Sequence, residues 1–166
     1  RVCQDAYERT YRRWQLDALA RRRALPDDPP GGRPVAQFVF RRTWRRILRD
    51  NADLKARERR AIATAEQYAL FRRYVAGRHA AGGMADMTWT DFRAMIDDSP
   101  VDTRMIEWRR PDRSLIAASL TDRCRSGFSG VYKFFDPADA RRSLGSLIIL
   151  WHVRRAIRLE LPYVYL

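Results

Sequence analysis

Two adjacent segments, Val131–Pro137 and Ala140–Gly145, bring together residue types that bind anions. The first is aromatic and β-prone and stops at Asp-Pro, and the second predicts a helix that opens with Arg-Arg-Ser-Leu-Gly. The first N–H groups of a helix have no partner within it, and the helix dipole is positive at that end. Two guanidinium groups and a small residue at the same end add to the attraction. The pattern therefore favours a site for a phosphate-bearing ligand.

The elements that must hold this site alternate in type. Residues 103–109 and 115–122 predict two strands joined by a turn, and residues 129–135 predict a third strand. A long helix follows over 138–159, and then a buried strand over 161–166. The apolar face predicted for the long helix consists of Leu144, Leu147, Ile148, Trp151 and Ile157.

Three helices are predicted ahead of these strands. A basic helix covers 41–49 and ends near Asn51, after an extended segment over 34–40. The next begins at Thr64, with Glu66 and Gln67 as a capping pattern, and a short one covers 90–96 with Thr90 as its N-cap. Residues 4–24 are charged and helix-prone, and a Pro/Gly-rich break separates them from the rest.

The chain is strongly basic, with a net charge of +13 over 166 residues and a pI near 10.9. Its basic residues are almost all arginine, since only Lys55 and Lys133 are lysines. A GC-rich genome explains the choice of arginine over lysine, but the net charge itself indicates an anionic partner such as nucleic acid. The helix over 41–49 is accordingly either a solvated helix packed on Trp44 and Leu48 or a contact for a phosphate backbone.

Other classes of protein are disfavoured by composition. Cys3 and Cys124 are too few for a disulfide scaffold or a closed zinc site, so we predict no metal. We find no signal peptide and no stretch apolar enough to span a membrane, and the composition is typical of an intracellular protein.

Short motifs throughout the second part of the chain carry a family resemblance. They are Thr64–Tyr68, Arg78–His79, Gly83–Met84, Asp98–Thr103, Leu120–Asp122, Val131–Tyr132, Phe134–Pro137, Arg142–Gly145 and Leu161–Leu166. In this order they closely resemble the C-terminal domain of the aminoacyl-tRNA–protein transferases, a family that includes the arginyltransferases and the bacterial aspartate/glutamate leucyltransferases. The Gly-Met and Asp-Ser-Pro-Val-Asp-Thr motifs are more similar to the bacterial branch.

The resemblance covers roughly residues 45–166 and implies a fold. We expect an α+β domain of the acyl-CoA N-acyltransferase-like (GNAT-like) type, a mixed sheet flanked by helices. The phosphate-binding turn of that fold reads Arg/Gln-x-x-Gly-x-Gly/Ala, and Arg142–Leu147 matches all but its last position. Residues 1–44 are expected to form a divergent, irregular basic extension.

Two departures from the family pattern concern the ends of the chain. The family has a cysteine-rich N-terminal part, of which Val2–Asp5 is the only trace, and residues 6–32 match nothing in it. A divergent sequence or a segment translated in the wrong frame would explain this. The family also continues past the last strand, so we expect the domain to be truncated at its C-terminus.

The resemblance implies an activity. Members of this family take an amino acid from a charged tRNA and attach it to the α-amine of a protein beginning with Asp or Glu, which marks that protein for degradation. The implied partners are Leu-tRNA or Arg-tRNA and such proteins, with no membrane and no cofactor, and the implied location is the cytoplasm. The residues do not decide between leucine and arginine.

The reaction is aminolysis of a reactive ester, so positioning supplies much of the acceleration. The donor's 3′-terminal phosphate and ribose would be held by Arg141, Arg142, Ser143 and Gly145. The alternative for Ser143 and Gly145 is ordinary packing at a helix start.

The amine must lose a proton, and the candidate catalytic residues are Tyr132, Asp136 and His79. Tyr132 would orient the amine or stack on the terminal adenine, or else pack in the core. Asp136 would bind the amine, or cap the following turn; His79 would act as a base, or cap its helix. Arg78 and Lys133 are candidates for binding the acidic side chain of the acceptor.

Two alternatives remain at this point. One is a GNAT-like acetyltransferase that uses acetyl-CoA. The other is a non-enzymatic tRNA- or nucleic-acid-binding module built on residues 33–60.

Overall fold

A computed structural model describes residues 32–78 and 84–166, which form one six-stranded mixed sheet flanked by helices. The strands are β1 (Arg33–Pro34), β2 (Lys55–Arg60), β3 (Thr103–Arg109), β4 (Leu115–Arg123), β5 (Gly127–Phe135) and β6 (Tyr163–Tyr165). The helices are α1 (Arg42–Asp50), α2 (Ala65–Arg78), α3 (Trp89–Asp97) and α4 (Leu144–Arg158). The α+β prediction is confirmed. The predicted helix over 4–24 and the candidate His79 lie outside the described residues.

The sheet has the order β1-β6-β5-β4-β3-β2, and every pair is antiparallel except β5 and β6. The predicted hairpin is β3–β4, which begins with Thr103 opposite Asp122. The parallel pair is short: it runs from Gly127 beside Tyr163 to Ser129 beside Tyr165. Parallel neighbours need a crossover connection, and α4 supplies it.

Each face of the sheet is covered by a different pair of helices. On one face, the rings of Phe71 in α2 and Phe92 in α3 both pack on Phe134 of β5. On the other face, Trp151 of α4 packs edge-on against Trp108 of β3, with ring centroids 5.7 Å apart. α1 lies beside α4 on that second face. The core is therefore two layers of apolar contact, one on each side of the sheet.

The helix starts show which capping predictions hold. At α2 the Thr64 hydroxyl accepts from the N–H of Gln67 at 3.2 Å, and the Gln67 side chain accepts from the N–H of Thr64 at 3.0 Å, as predicted. At α3 the predicted N-cap, Thr90, is wrong, because the cap is Thr88. Thr88 has Asp91 three residues later, and the two exchange hydrogen bonds in a capping box that Thr90 lacks.

Two predictions in the second part of the chain need correction. The helix expected over 138–159 is broken at Ser143, whose left-handed φ of 53° separates a 3-10 helix (Pro137–Arg142) from α4. Ile157, expected on the apolar face, is 49 % exposed.

Strand β2 was not predicted at all, because its sequence, Lys-Ala-Arg-Glu-Arg-Arg, is that of a charged edge strand rather than an alternating apolar one.

None of the helices in the described residues combines the length and the apolar character needed to cross a membrane.

Candidate active site

The segment between β5 and α4 carries most of the predicted donor residues, and we call Asp136–Gly145 the donor loop. Asp136 begins it by accepting a hydrogen bond from the N–H of Ala138 at 3.0 Å, with Pro137 as the first residue of the 3-10 helix. The capping role weighed for Asp136 in the sequence is therefore present. Because this helix stops at Arg142 and α4 begins only at Leu144, Ser143 is the hinge of the donor loop.

The N-terminus of α4 begins at this hinge. Arg142 is right-handed helical and Ser143 is left-handed, with φ 53° and ψ 45°. The N–H of Ser143 itself donates to the carbonyl of Ala140 at 3.3 Å. The Ser143 side chain makes no capping hydrogen bond to α4, so the first N–H groups of that helix are left for another acceptor.

Gly145 owes its identity to a close packing contact. A Cβ at this position would lie 3.3 Å from Cε1 of Phe135, tighter than an ordinary van der Waals contact. The packing alternative for Gly145 is therefore supported, and it also fixes the start of α4 against the end of β5.

Arg142 holds the donor loop in place rather than pointing into solvent. Its guanidinium donates to both oxygens of Asp53, at 2.8 and 3.1 Å, and these hydrogen bonds hold the pKa of Asp53 below its usual value. The carbonyl of Arg142 accepts from the side chain of Asn51 at 2.9 Å. Arg141, in contrast, is exposed. The donor loop is thus tied by Arg142 to the turn after α1.

A second ion pair ties the donor loop to the β3–β4 hairpin. Asp139 accepts from the guanidinium of Arg110, next to the hairpin turn, and lies 3.7 Å from Nε of Arg142. Asn51, Asp53, Arg110 and Asp139 were not identified from the sequence as parts of the site. No motif marks them, and Asn51 and Asp53 lie about ninety residues before their partner in the chain.

The end of α2 brings one further predicted residue, Arg78, to the donor loop. The Arg78 guanidinium lies 5.1 Å from the centre of the Phe135 ring, which is the ring that Gly145 also contacts. Asp136 lies 3.6 Å from the guanidinium of Arg73, one turn earlier in α2. The structure therefore gathers Arg78, Asp136 and Gly145 around the end of β5.

Tyr132 and Lys133 point to opposite sides of the sheet, as the strand period of two requires. The Tyr132 ring lies 5.9 Å from that of Phe71 in α2. Lys133 stands opposite Ser119 and contributes to lowering the pKa of His152, a residue of α4. Burial lowers the pKa of Lys133, and no described residue forms an ion pair with it.

His152 is a buried histidine that the sequence analysis passed over. Its Nδ1 lies 2.8 Å from the carbonyl oxygen of Ile148 and its Nε2 lies 2.9 Å from the Thr121 hydroxyl. Nδ1–H therefore donates to the carbonyl, and the hydroxyl donates to Nε2. Burial lowers the pKa of His152 to about 4, so the ring is neutral near pH 7. Its role is to join α4 to the centre of the sheet.

Both strand candidates lie in the second half of β5, just ahead of the donor loop. The first half of β5 pairs with β6 from Gly127 to Ser129. The approach there is very close, since a Cβ at Gly127 would lie 2.1 Å from the carbonyl oxygen of Tyr163. Tyr132, Lys133 and the donor loop thus follow one another along the chain.

Known proteins share the sequence of this region. Residues 66–166 match the family model described as "Arginine-tRNA-protein transferase, C terminus". An aspartate/glutamate leucyltransferase of Parvibaculum lavamentivorans is 52% identical over 132 residues, which cover 80% of this chain and 55% of that protein. One from Gluconacetobacter diazotrophicus is 52% identical over 133 residues, covering 80% and 51%. The chain spans about half the length of the curated relatives that it matches.

A solved structure shares the fold. The structure of L-PGS from Bacillus licheniformis superimposes with a TM-score of 0.57 at 5% identity, over 80% of this chain and 42% of that one. At this identity the likeness concerns the fold alone, and it confirms the GNAT-like prediction. The region matched by the family model includes the donor loop, α4 and four of the six strands. The chain therefore belongs to the arginine-tRNA–protein transferase family, whose C-terminal domain it contains.

Proposed function

We propose that this chain is the catalytic part of an aminoacyl-tRNA–protein transferase that moves leucine from Leu-tRNA to the α-amine of proteins beginning with Asp or Glu. The observation that carries the proposal is the family match over 66–166, which includes the donor loop and the strand leading into it. The reaction takes place in the cytoplasm, where charged tRNA is available, and its product is a destabilising N-terminus.

The charges around the donor loop favour leucine over arginine as the transferred residue. An arginyl side chain would need a carboxylate without a partner. Asp53 faces Arg142 and Asp139 faces Arg110, and the third carboxylate of this region, Asp136, would be taken by the acceptor's amine. The names of the similar bacterial proteins point the same way.

The donor side of the mechanism rests on the hinge at Ser143. The N–H groups at the start of α4 would hold the 3′-terminal phosphate, with the exposed Arg141 beside them. Arg142 would act on the donor chiefly by holding this backbone in place through Asp53 and Asn51. Positioning of this kind suits an ester that is already reactive.

The acceptor side rests on the end of β5. The α-amine would approach Asp136, whose carboxylate accepts its hydrogen bonds and assists the loss of its proton. The acidic side chain of the acceptor would be met by Arg78 or Lys133. Tyr132, on the opposite side of the strand from Lys133, would orient the amine or stack on the terminal adenine.

The direct test is transfer of labelled leucine from Leu-tRNA to peptides that differ only in their first residue. We expect labelling of peptides that begin with Asp or Glu and none of a peptide that begins with Ala.

Two further measurements test the alternatives. Arg-tRNA in place of Leu-tRNA tests the choice of donor. Calorimetry with acetyl-CoA tests the acetyltransferase alternative, and we expect no binding. If neither charged tRNA supports transfer to an acidic peptide, by this chain or by a full-length relative, the proposed function is wrong.

A further inference from the structure

Helices α1 and α4 form one continuous face that starts at the donor loop. At one end the side chain of Asn51, the residue after α1, donates to the carbonyl of Arg142, just before α4. At the other end Arg45 of α1 and Arg158 of α4 line the same groove of about 610 Å³. The helices therefore run antiparallel, and α4 with its 15 residues gives the face a length of about 22 Å.

The arginines of this region fall into two groups. Those directed inward are neutralised: Arg142 by Asp53, and Arg155 by Glu58 at 3.1 Å. Five others are exposed and form no ion pair with any residue in 32–78 or 84–166. We call this second group the arginine face; it consists of Arg42, Arg45, Arg46, Arg154 and Arg158.

Ion pairs with other arginines occupy most of the carboxylates near the arginine face. Asp50 pairs with Arg49, Asp53 with Arg142 and Glu58 with Arg155, which leaves Glu160 as a nearby carboxylate outside any ion pair in the described residues. Meanwhile the apolar residues of α1, of which Ile47 is buried, turn towards the core. A surface that keeps five like charges together on two adjacent helices is built for a ligand with several negative charges.

We propose that the arginine face binds the phosphate backbone of the acceptor arm of tRNA; the identification of this polyanion rests on the proposed function. An acceptor peptide presents a single acidic side chain, whereas a nucleic-acid strand presents one phosphate at every nucleotide, so that several lie along a face of this length. A strand whose 3′ end reaches the donor loop lies directly on this face. The guanidinium groups would make bidentate contacts with its phosphates.

The test compares two triple variants that lower the net charge equally. One is R45Q/R154Q/R158Q, within the arginine face. Its matched control is R57Q/R60Q/R113Q, three exposed arginines on β2 and the β3–β4 turn. Binding of uncharged tRNA is measured by fluorescence anisotropy between 50 and 300 mM salt, and thermal melting verifies that both variants are folded.

We expect the face variant to bind uncharged tRNA about 10-fold or more weakly at 100 mM salt, and its plot of log affinity against log salt to flatten by about 2 to 3 units. The control should change affinity less than about 3-fold. R45K/R154K/R158K should keep most of the binding, because it keeps the charge. Equal losses in the face variant and the control, or no loss in either, would overturn the proposal, as would tighter binding to phosphatidylglycerol vesicles than to tRNA.

The transfer assay separates this inference from the proposed function. If wild type binds tRNA through these arginines but transfers nothing, the proposed function fails and the arginine face stands. If wild type transfers leucine and the face variant does so with unchanged KM for Leu-tRNA, the arginine face fails and the function stands. We expect a raised KM with kcat retained, and no difference between the variants on a short aminoacyl-oligonucleotide that lacks the stem.

Discussion

Two sets of buried polar side chains on the same sheet are treated in opposite ways. Where α2 meets β3, Glu107 accepts from Gln67 at 2.9 Å and from Arg109 at 3.1 Å, and Arg109 is also clamped by Glu66. We call these four residues the hairpin network. On β4 and β5, Asp122 faces Ser129, and among the described residues one oxygen of each has no hydrogen-bond partner.

The difference concerns how buried charge is balanced. In the hairpin network each buried charge has an opposite charge and further hydrogen bonds, which is the condition under which such groups hold a fold together. Asp122 is fully buried and forms no ion pair with any residue in 32–78 or 84–166, and burial raises its pKa to about 7. Lys133 on β5 is likewise without an ion-pair partner in the described structure. Groups of this kind lower stability and concentrate at sites of binding or catalysis.

The largest effect should come from breaking the hairpin network. Replacing Glu107 by Ala leaves Arg109 and Gln67 without their shared partner, so we expect the free energy of unfolding to fall by about 3 to 5 kcal/mol in urea titrations. Glu58→Ala is the control, since Glu58 is in a half-exposed pair with Arg155 and should lose less than about 1 kcal/mol. Equal losses would mean that the network is no more than a set of surface pairs.

Asp122→Asn should raise the free energy of unfolding, whereas Glu107→Ala lowers it. The folded pKa of Asp122, about 7, is above its unfolded value, so the folded state holds the proton longer and loses stability as the pH rises from about 4 to 7. Asn removes that loss, and we expect it to be about 2 kcal/mol more stable than wild type at pH 8 and no more stable at pH 4. A pH-independent difference in urea titrations would show that Asp122 does not titrate in this range.

Lys133→Met should separate activity from stability. The change removes a half-buried ammonium without an ion-pair partner and keeps the chain length, so we expect stability to rise by up to about 1 kcal/mol. If Lys133 meets the acceptor's carboxylate, kcat/KM for an Asp peptide should fall about 10-fold or more. A stable variant with full activity would place Lys133 outside the acceptor site.

The smallest effect on stability should come from the tether of the donor loop. Asp53→Ala breaks one partly exposed ion pair, and Arg142→Ala breaks that pair and the longer one with Asp139. The free energy of unfolding should change by less than about 1 kcal/mol for each broken pair. Both should nevertheless raise KM for Leu-tRNA several-fold and leave KM for the acceptor peptide unchanged, because the hinge at Ser143 loses its support. An effect on the acceptor alone would contradict the placement of the donor site.

The sequence predicted what depends on local pattern. The β3–β4 hairpin, the start of α2 at Thr64 and the opposite directions of Tyr132 and Lys133 all follow from periodicity or capping chemistry, and the structure agrees. Strand β2 was missed because its stability comes from pairing with β3 and not from its own residues. The catalytic and binding roles assigned within the site stay predictions.

Features that depend on distant partners were not predictable. Ser143 adopts a left-handed backbone although serine alone does not favour it. The loop that contains it is held by Asn51 and Asp53 on one side and by Arg110 on the other. For the same reason the sequence placed Asp122 only at the end of a strand and predicted nothing of its burial. Its lack of a counter-charge is visible only once the neighbouring strands are in place.

The edge of the sheet formed by β1 and β6 has a consequence for the order of folding. It joins Arg33 to Val164 and the N–H of Val35 to the carbonyl of Pro162, segments from nearly opposite ends of the described chain. Loop-closure entropy opposes such pairing until the β3–β4–β5 meander and α4 have brought the segments together. The edge should therefore form last and open first, with faster amide exchange at Tyr163 than at Leu120. Because this edge and β3 lie on opposite sides of β5 and β4 in the sheet order, the edge can open without unfolding the hairpin network.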